Sequence, residues 1–437
     1  MPPSAWVPFE WPADWRDPAL LRLLDPGPIN CLLLPQDAPT ALRAAAEVRG
    51  LACPANIPWR SWKEVPWHSP AEPIAIADGV WPELASQTPA GGAQAGPTGL
   101  PWLDANGWLL LLARAHAART SEPRASASGF DPHSSATPTL WINSPPPSAP
   151  PTPSSYALAA CEAAAYGARR PLWLSPEHAR ALAAGNTSAT QDWTSMLATA
   201  RWLEQRRPQW STYETFARLL IVSDFTGPNQ YNAAEVLNLA ARRNLAYLPV
   251  ESSRLQPAHL KDRRAVLYID PQPPPAAIQP FVQSGGLLLC LPSAALPGLR
   301  PSRELHPRFH LYDCGKGRLA VSKAGWDDPF LLAQDAHALI SRRHDPIRLF
   351  NAGSICFHHT VAPGGLRWFI HLLNYSHAVP AHQVVLQSWT PLASALLHQP
   401  GAGAPVPLEF HREPGRLELY LPPIAAYAAV ELVLTHA

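Results

Sequence analysis

The densest grouping of residues able to do chemistry runs from Ile76-Ala-Asp-Gly-Val-Trp-Pro-Glu into Gly96-Pro-Thr-Gly-Leu-Pro-Trp-Leu-Asp-Ala-Asn-Gly-Trp. It holds the carboxylates Asp78, Glu83 and Asp104, the amide Asn106, and the indoles Trp81, Trp102 and Trp108. Carboxylates and amides hydrogen-bond hydroxyl groups, and a flat indole face stacks on a pyranose ring, so these residue types compose a sugar site. Each also has a plainer reading. Asp78 would close a turn with Gly79, Glu83 behind Pro82 would simply be solvated, and Asp104 stands near the N-cap of the helix expected from Asn106.

Short apolar runs alternating with helical patterns must position these groups. Strands are expected over 29–34, 51–55, 73–77, 139–143 and 171–174, with helices over 38–49, 106–119, 154–169 and 190–205. Strand–helix alternation implies parallel strands with helical crossovers, and it suits a (β/α) barrel, complete or shortened, better than an open sheet. Asp78, ending a strand, would then face the barrel mouth. The polar 120–138 stretch reads as an insertion. From residue 215 a second alternation follows, with strands over 218–222, 245–250, 265–269 and 287–291 and helices over 233–244 and 274–283. Gly285-Gly286 caps the last helix and starts the next strand at once. This is a doubly wound, Rossmann-like unit. After a connecting stretch, strands over 355–361, 367–374, 383–387, 407–411, 416–421 and 428–434 indicate an antiparallel β-sandwich. The expected division is 1–212, 213–300 and 301–437.

Across the 437 residues, 47% hydrophobic and 15% charged composition supports large buried cores. A net charge of +1 leaves no electrostatic footprint for nucleic acid or an anionic membrane. The 53 prolines imply short elements and rigid connections. Cys31, Cys53, Cys161, Cys290, Cys314 and Cys356 lie scattered without metal-ligand spacing, as small buried hydrophobes of a reducing compartment. His358, His359 and His371 read as strand residues, and the Asp335–Asp345 region as salt bridges; neither suggests a metal, and no cofactor motif is present. With no apolar N-terminal run or membrane-length segment, the expected location is the cytoplasm, or outside the cell if a leader has been removed.

Three features together resemble a known family: Phe281-Val-Gln-Ser-Gly-Gly-Leu-Leu-Leu in the middle unit, Trp368-Phe-Ile-His-Leu-Leu-Asn-Tyr-Ser with Leu421-Pro-Pro-Ile-Ala-Ala-Tyr in the tail, and a Trp-rich α/β front. The order resembles the family 42 glycoside hydrolases, β-galactosidases built from a barrel, an amidotransferase-like trimerisation module and a small β-domain. The resemblance implies a carbohydrate substrate or ligand, a homotrimer or other homo-oligomer, and a middle module without its nucleophile; Cys290 lies inside a strand rather than on an elbow. Glycoside hydrolysis needs two carboxyl groups, and the family places an Asn-Glu pair at the end of the fourth strand. Leu140-Trp-Ile-Asn-Ser-Pro supplies Trp141 and Asn143 as substrate-binding candidates, but Ser144 stands where the acid would be. Glu177 is the best-placed Glu near a late strand end, and also an ordinary first-turn helix residue. Two readings follow: hydrolysis with carboxylates from Asp78, Glu83, Asp104 or Glu177, or a catalytically degenerate carbohydrate-binding or scaffold protein.

Overall fold

The computed structural model describes residues 3–62, 74–84, 103–117, 139–147, 150–326, 328–376 and 379–435. The front runs β1 (Pro8–Glu10), β2 (Cys31–Leu33), α1 (Thr40–Val48), β3 (Ile74–Ile76), β4 (Glu83–Leu84), β5 (Leu103–Asp104), α2 (Gly107–Ala117), β6 (Leu140–Ile142), α3 (Pro153–Ala165), β7 (Ala168–Arg169), α4 (Pro176–Ala183) and α5 (Thr187–Trp210). Strands β1 and β2 pair in parallel, and a bridge carries the pairing from Cys31 to Ala52. Strands β3, β6 and β7 form a second parallel group, with Arg60 bridged to Ile76. Segment 168–172 joins the groups, because β7 pairs with β6 while Leu172 bridges Phe9. Among the described residues no ladder links Ala52 to Arg60, so these pairings stop short of a closed barrel. Alternation along β3 and β6 puts Ala75 and Trp141 with Cys31, Trp6 and Trp59 on one face, and Ile74, Ile76, Leu140 and Ile142 toward α2 and α3 on the other. The expected helix over 154–169 ends early, at Ala165. Gly167 then turns at φ 72°, a conformation that favours glycine, and frees Ala168–Arg169 to pair. Capping by residue type holds α3: Thr152 Oγ1 accepts from Ser155 N at 3.3 Å, and Pro153 occupies the first turn, where its missing N–H costs nothing.

After β8 (Glu214–Thr215) come β9 (Leu219–Ser223), α6 (Gln230–Arg242), β10 (Tyr247–Glu251), α7 (Pro257–Leu260), β11 (Ala265–Tyr268), α8 (Ile278–Gln283), β12 (Leu287–Cys290), β13 (Arg300–Pro301), β14 (Phe309–Cys314), β15 (Gly317–Ser322) and α9 (Pro329–His344). The sheet order is β10-β9-β11-β12-β15-β14-β13, parallel from β10 to β15 and antiparallel beyond. Both faces are covered: Leu219, Ile221 and Leu267 pack on the side of α6, and Leu220, Val222 and Val266 on the side of α8. That is why these strands read as continuous apolar runs. The sheet runs on to Ser322, so a division of the chain at residue 300 would cut it, and the connecting stretch contains two of its strands and α9. Cys290 is buried in β12, and burial pushes its thiol up to about 12, far from the thiolate a nucleophile needs.

The tail comprises β16 (Ile347–Phe350), β17 (Ile355–Val361), β18 (Arg367–Asn374), β19 (Val385–Ser388), β20 (Leu392–His398), β21 (Val406–Pro407), β22 (His411–Glu413), β23 (Arg416–Tyr420) and β24 (Tyr427–Leu434). Two antiparallel sheets, β16-β19-β23-β22 and β21-β20-β24-β18-β17-β8, share one apolar core built from Leu386 and Leu419 of the first and Ile370, Leu372, Val430 and Leu432 of the second. Strand β8 ties the end of the front to this sheet through Thr215 opposite Thr360. No helix among the described residues is long and apolar enough to cross a membrane.

Candidate functional site

The C-terminal ends of three parallel strands converge. Glu10 closes β1, Asn143 and Ser144 follow β6, and Arg170 follows β7. Parallel α/β sheets present ligand-binding groups at this end. Asn143 Nδ2 donates to Glu10 Oε1 at 2.6 Å. Arg170 Nη1 donates to Ser144 Oγ at 2.6 Å and Nη2 to the Val80 carbonyl at 3.0 Å. The guanidinium lies 5.6 Å from the Trp81 ring, and its buried Nε has no acceptor among the described residues. Trp81 meets Tyr156 and Trp173 edge-on, at 5.6 and 6.3 Å between centroids. Burial raises the Glu10 carboxyl above its ordinary range against the Asn143 bond and the Arg170 charge, and burial pulls Arg170 down to about 10 against Glu162 and Glu10.

Behind the mouth sits a sealed polar knot. Glu162 of α3 is 1% exposed and accepts from Asn106 N at 2.7 Å, Asn106 Nδ2 at 2.6 Å and the Tyr375 hydroxyl at 2.6 Å. Asn106 also accepts from Val80 N at 2.8 Å and donates to Val80 O at 2.9 Å. Asn106 thus pins the Val80–Trp81 loop to α3, and Glu162 carries the connection on to the tail through Tyr375. Burial dominates and raises the Glu162 carboxyl; its hydrogen bonds and Arg170 offset this only in part.

Placed against that frame, the expected site residues separate. Glu83 and Asp104 are brought together as directly opposite residues of the β4–β5 pair, a position that puts both side chains on one face. Burial, then the Asp104 charge, raises the Glu83 carboxyl. Arg242 donates to the Leu103 carbonyl beside them. Asp78 is exposed and ties down the Ser61–Trp62 segment instead, accepting from Ser61 Oγ at 2.7 Å and Trp62 N at 3.0 Å. Glu177 is exposed in the first turn of α4, 3.6 Å from Arg180. Trp141 is fully buried, 6.1 Å from Trp6 and 6.2 Å from Trp59, so its faces are spent on the core. Trp108 is half-buried against Trp62 at 5.9 Å. Asn106 and Asn143 do lie in the convergent network, as anchors. Trp102 lies outside the described residues. Among the described residues no group of three or more His, Cys, Asp or Glu side chains could hold a metal ion.

No model of a known protein family matches the sequence, and no curated protein matches it. Solved structures similar to this chain include family 42 glycoside hydrolases, the family its sequence resembles. A catalytic mutant of the family 42 β-galactosidase of G. stearothermophilus is 10% identical, with a TM-score of 0.46 over 83% of this chain and 64% of that one. The cold-adapted β-galactosidase of Rahnella is 11% identical, with a TM-score of 0.45 over 89% and 64%. The α-L-fucosidase isoenzyme 2 of Paenibacillus thiaminolyticus is 11% identical, with a TM-score of 0.49 over 68% and 60%. The chain spans between 60% and 64% of the length of each.

Reasoning from sequence missed Glu10, Arg170 and Glu162. Glu10 was hidden in a Trp- and Pro-rich lead-in whose strand is three residues long. Arg170 was hidden by reading the strand at 171–174 rather than at Ala168–Arg169. The usable signal for Glu10 was a charged residue directly after a short apolar stretch; Arg170, which follows Arg169, carried no such signal.

Proposed function

We propose that this chain is a glycoside-hydrolase-like protein that binds a carbohydrate at the mouth formed by Glu10, Asn143, Arg170 and Trp81. The carrying observation is the convergence of strand ends that sets a carboxyl, an amide and a guanidinium beside a half-buried indole. Hydroxyls bond the polar groups, and the ring face packs on Trp81. The test is calorimetric titration with a panel of plant-type oligosaccharides. Saturable binding should weaken about tenfold or more in Trp81→Ala and in Glu10→Gln, the loss expected for a stacking platform or a charge-assisted hydrogen bond. Heats that do not saturate for any sugar, or equal affinity in both variants, would overturn the reading.

A second reading, hydrolysis, is favoured by one observation: Glu83 lies opposite Asp104, and its carboxyl is raised while a second carboxylate stands alongside. A carboxyl raised by burial beside a second carboxyl group supplies the pair that glycoside cleavage uses. Turnover of an aryl glycoside that disappears in Glu83→Gln would select this reading. Sugar binding without turnover over long incubation would select the degenerate, binding-only form.

A further inference from the structure

At the opposite, N-terminal ends of the same strands, the front and the tail line a half-open cavity of about 540 Å³. Ser4 and Thr139, which precede β1 and β6, line one side, and Thr360 and His371 of the tail line the other. Three guanidinium groups reach it, those of Arg114, Arg169 and Arg207, and the one carboxylate among its described lining residues is Glu204. Glu204 is fully committed. Arg169 donates to it through Nε at 3.2 Å and Nη2 at 2.7 Å, and Arg207 through Nε at 2.9 Å. Burial pushes the Glu204 carboxyl up, but these bonds and charges outweigh burial and hold it below the usual range, so it stays ionised and cancels one positive charge. Two remain in excess.

The remaining donors are under-used. Arg169 Nη1 is spent on the Ser4 carbonyl at 2.7 Å, and Arg207 Nη2 on Ala168 O at 3.3 Å. Among the described residues Arg114 makes one long bond, Nη1 to Tyr166 O at 3.4 Å, and Arg207 Nη1 has no partner. The other charged neighbour of Arg114 is Glu214, exposed on β8. His371 adds no charge: burial, then His398 and Arg114, push it down to about 3. Trp210 and Leu203 supply an apolar wall.

We propose that this cavity is an anion site for a dianionic phosphate, free or carried on a small organic body. Two excess charges match the dianion, and guanidinium forks bond its oxygens in pairs. The volume exceeds that of a bare phosphate and falls within the range of small-molecule pockets.

The test is calorimetry and thermal melting of the full chain with inorganic phosphate, glucose 6-phosphate, glucose and succinate, at ionic strength held constant with chloride. Phosphate should bind saturably and raise the melting midpoint. Arg114→Gln and Arg207→Gln should each weaken it about tenfold or more, as for a lost charged hydrogen bond. The exposed Arg318→Gln should bind as wild type, and Arg207→Lys, which keeps charge and fold, should recover part of the loss. Tighter binding of glucose 6-phosphate than of phosphate assigns the organic form, and equal binding the free ion. A midpoint shift no larger than chloride gives, full affinity in the Arg114/Arg207 double variant, or preference for succinate would overturn the proposal.

Discussion

At the scale of single residues, a carboxyl in this chain takes its role from what its oxygens already hold. Glu162 and Glu10 are both raised by burial, yet Glu162 is saturated by Asn106 and Tyr375 while Glu10 has one hydrogen-bond partner among the described residues, Asn143. Only the second has bonding capacity left for a ligand. Asn106→Ala removes the side-chain donor to Glu162 Oε2 and both bonds to Val80, while the backbone N–H of residue 106 and the Tyr375 hydroxyl still serve Oε1. It should lower the unfolding free energy by about 2 kcal/mol or more, as for buried polar groups left unsatisfied. Urea titration measures this, and a loss below about 1 kcal/mol would mean that the knot does not hold the loop. Residue types alone pointed to Asn106 and Asn143, because amides near strand ends are few. They could not tell Asp78, spent on the Ser61–Trp62 segment, from Glu83, because exposure and partnering are set by chain segments distant in sequence.

At the scale of elements, the legible parts were those whose pattern depends on local physics. Continuous apolar runs and the Gly285-Gly286 stop placed β9, β11 and β12 within a residue or two, since burial on both sheet faces leaves no ambiguity of face. Strands β1 and β7, of three and two residues, were invisible because so short a run carries no period. Helix α9 was lost in a stretch read as connecting. Close approach also selects residues at this scale. A Cβ on Gly317 would stand 2.0 Å from Val282 O and 2.3 Å from Gly286 O, backbone atoms of α8 and of the turn before β12. Gly317→Ala must therefore push β15 away from its neighbours, and should cost about 2 kcal/mol or more, at the upper end of overpacking penalties. An exposed control, Gly353→Ala, meets nothing within 4 Å and should melt as wild type.

At the scale of the whole molecule, the front, middle and tail meet on a layer of buried histidines, and this layer sets how stability responds to pH. His358 lies tilted 4.2 Å from Tyr166, His359 stacks 4.4 Å from Phe216, and His371 bonds the Tyr427 hydroxyl at 2.7 Å. Burial pushes His359 and His371 down to about 3 and His358 well below its ordinary value, with Arg114, Arg218, His398 and one another adding to the effect. An unfolded histidine titrates near 6.5, so between about pH 6.5 and 3 the unfolded chain binds protons that the fold refuses, and stability falls as pH falls. The raised carboxyls Glu10 and Glu162 act with the opposite sign. Their stabilising contribution is present below about pH 4.5 and is lost as pH rises through their folded values, so they cannot produce an acid loss beginning near pH 6.5. His359 separates the two, because neither ring nitrogen has a partner among the described residues and the ring gains nothing from being polar. His359→Leu, of similar volume, should leave the urea midpoint at pH 7.5 equal or higher and flatten its decline between pH 6.5 and 4.5. A decline as steep as wild type would place the acid sensitivity elsewhere. A fall in midpoint at pH 7.5 would mean that the imidazole is bonded in solution.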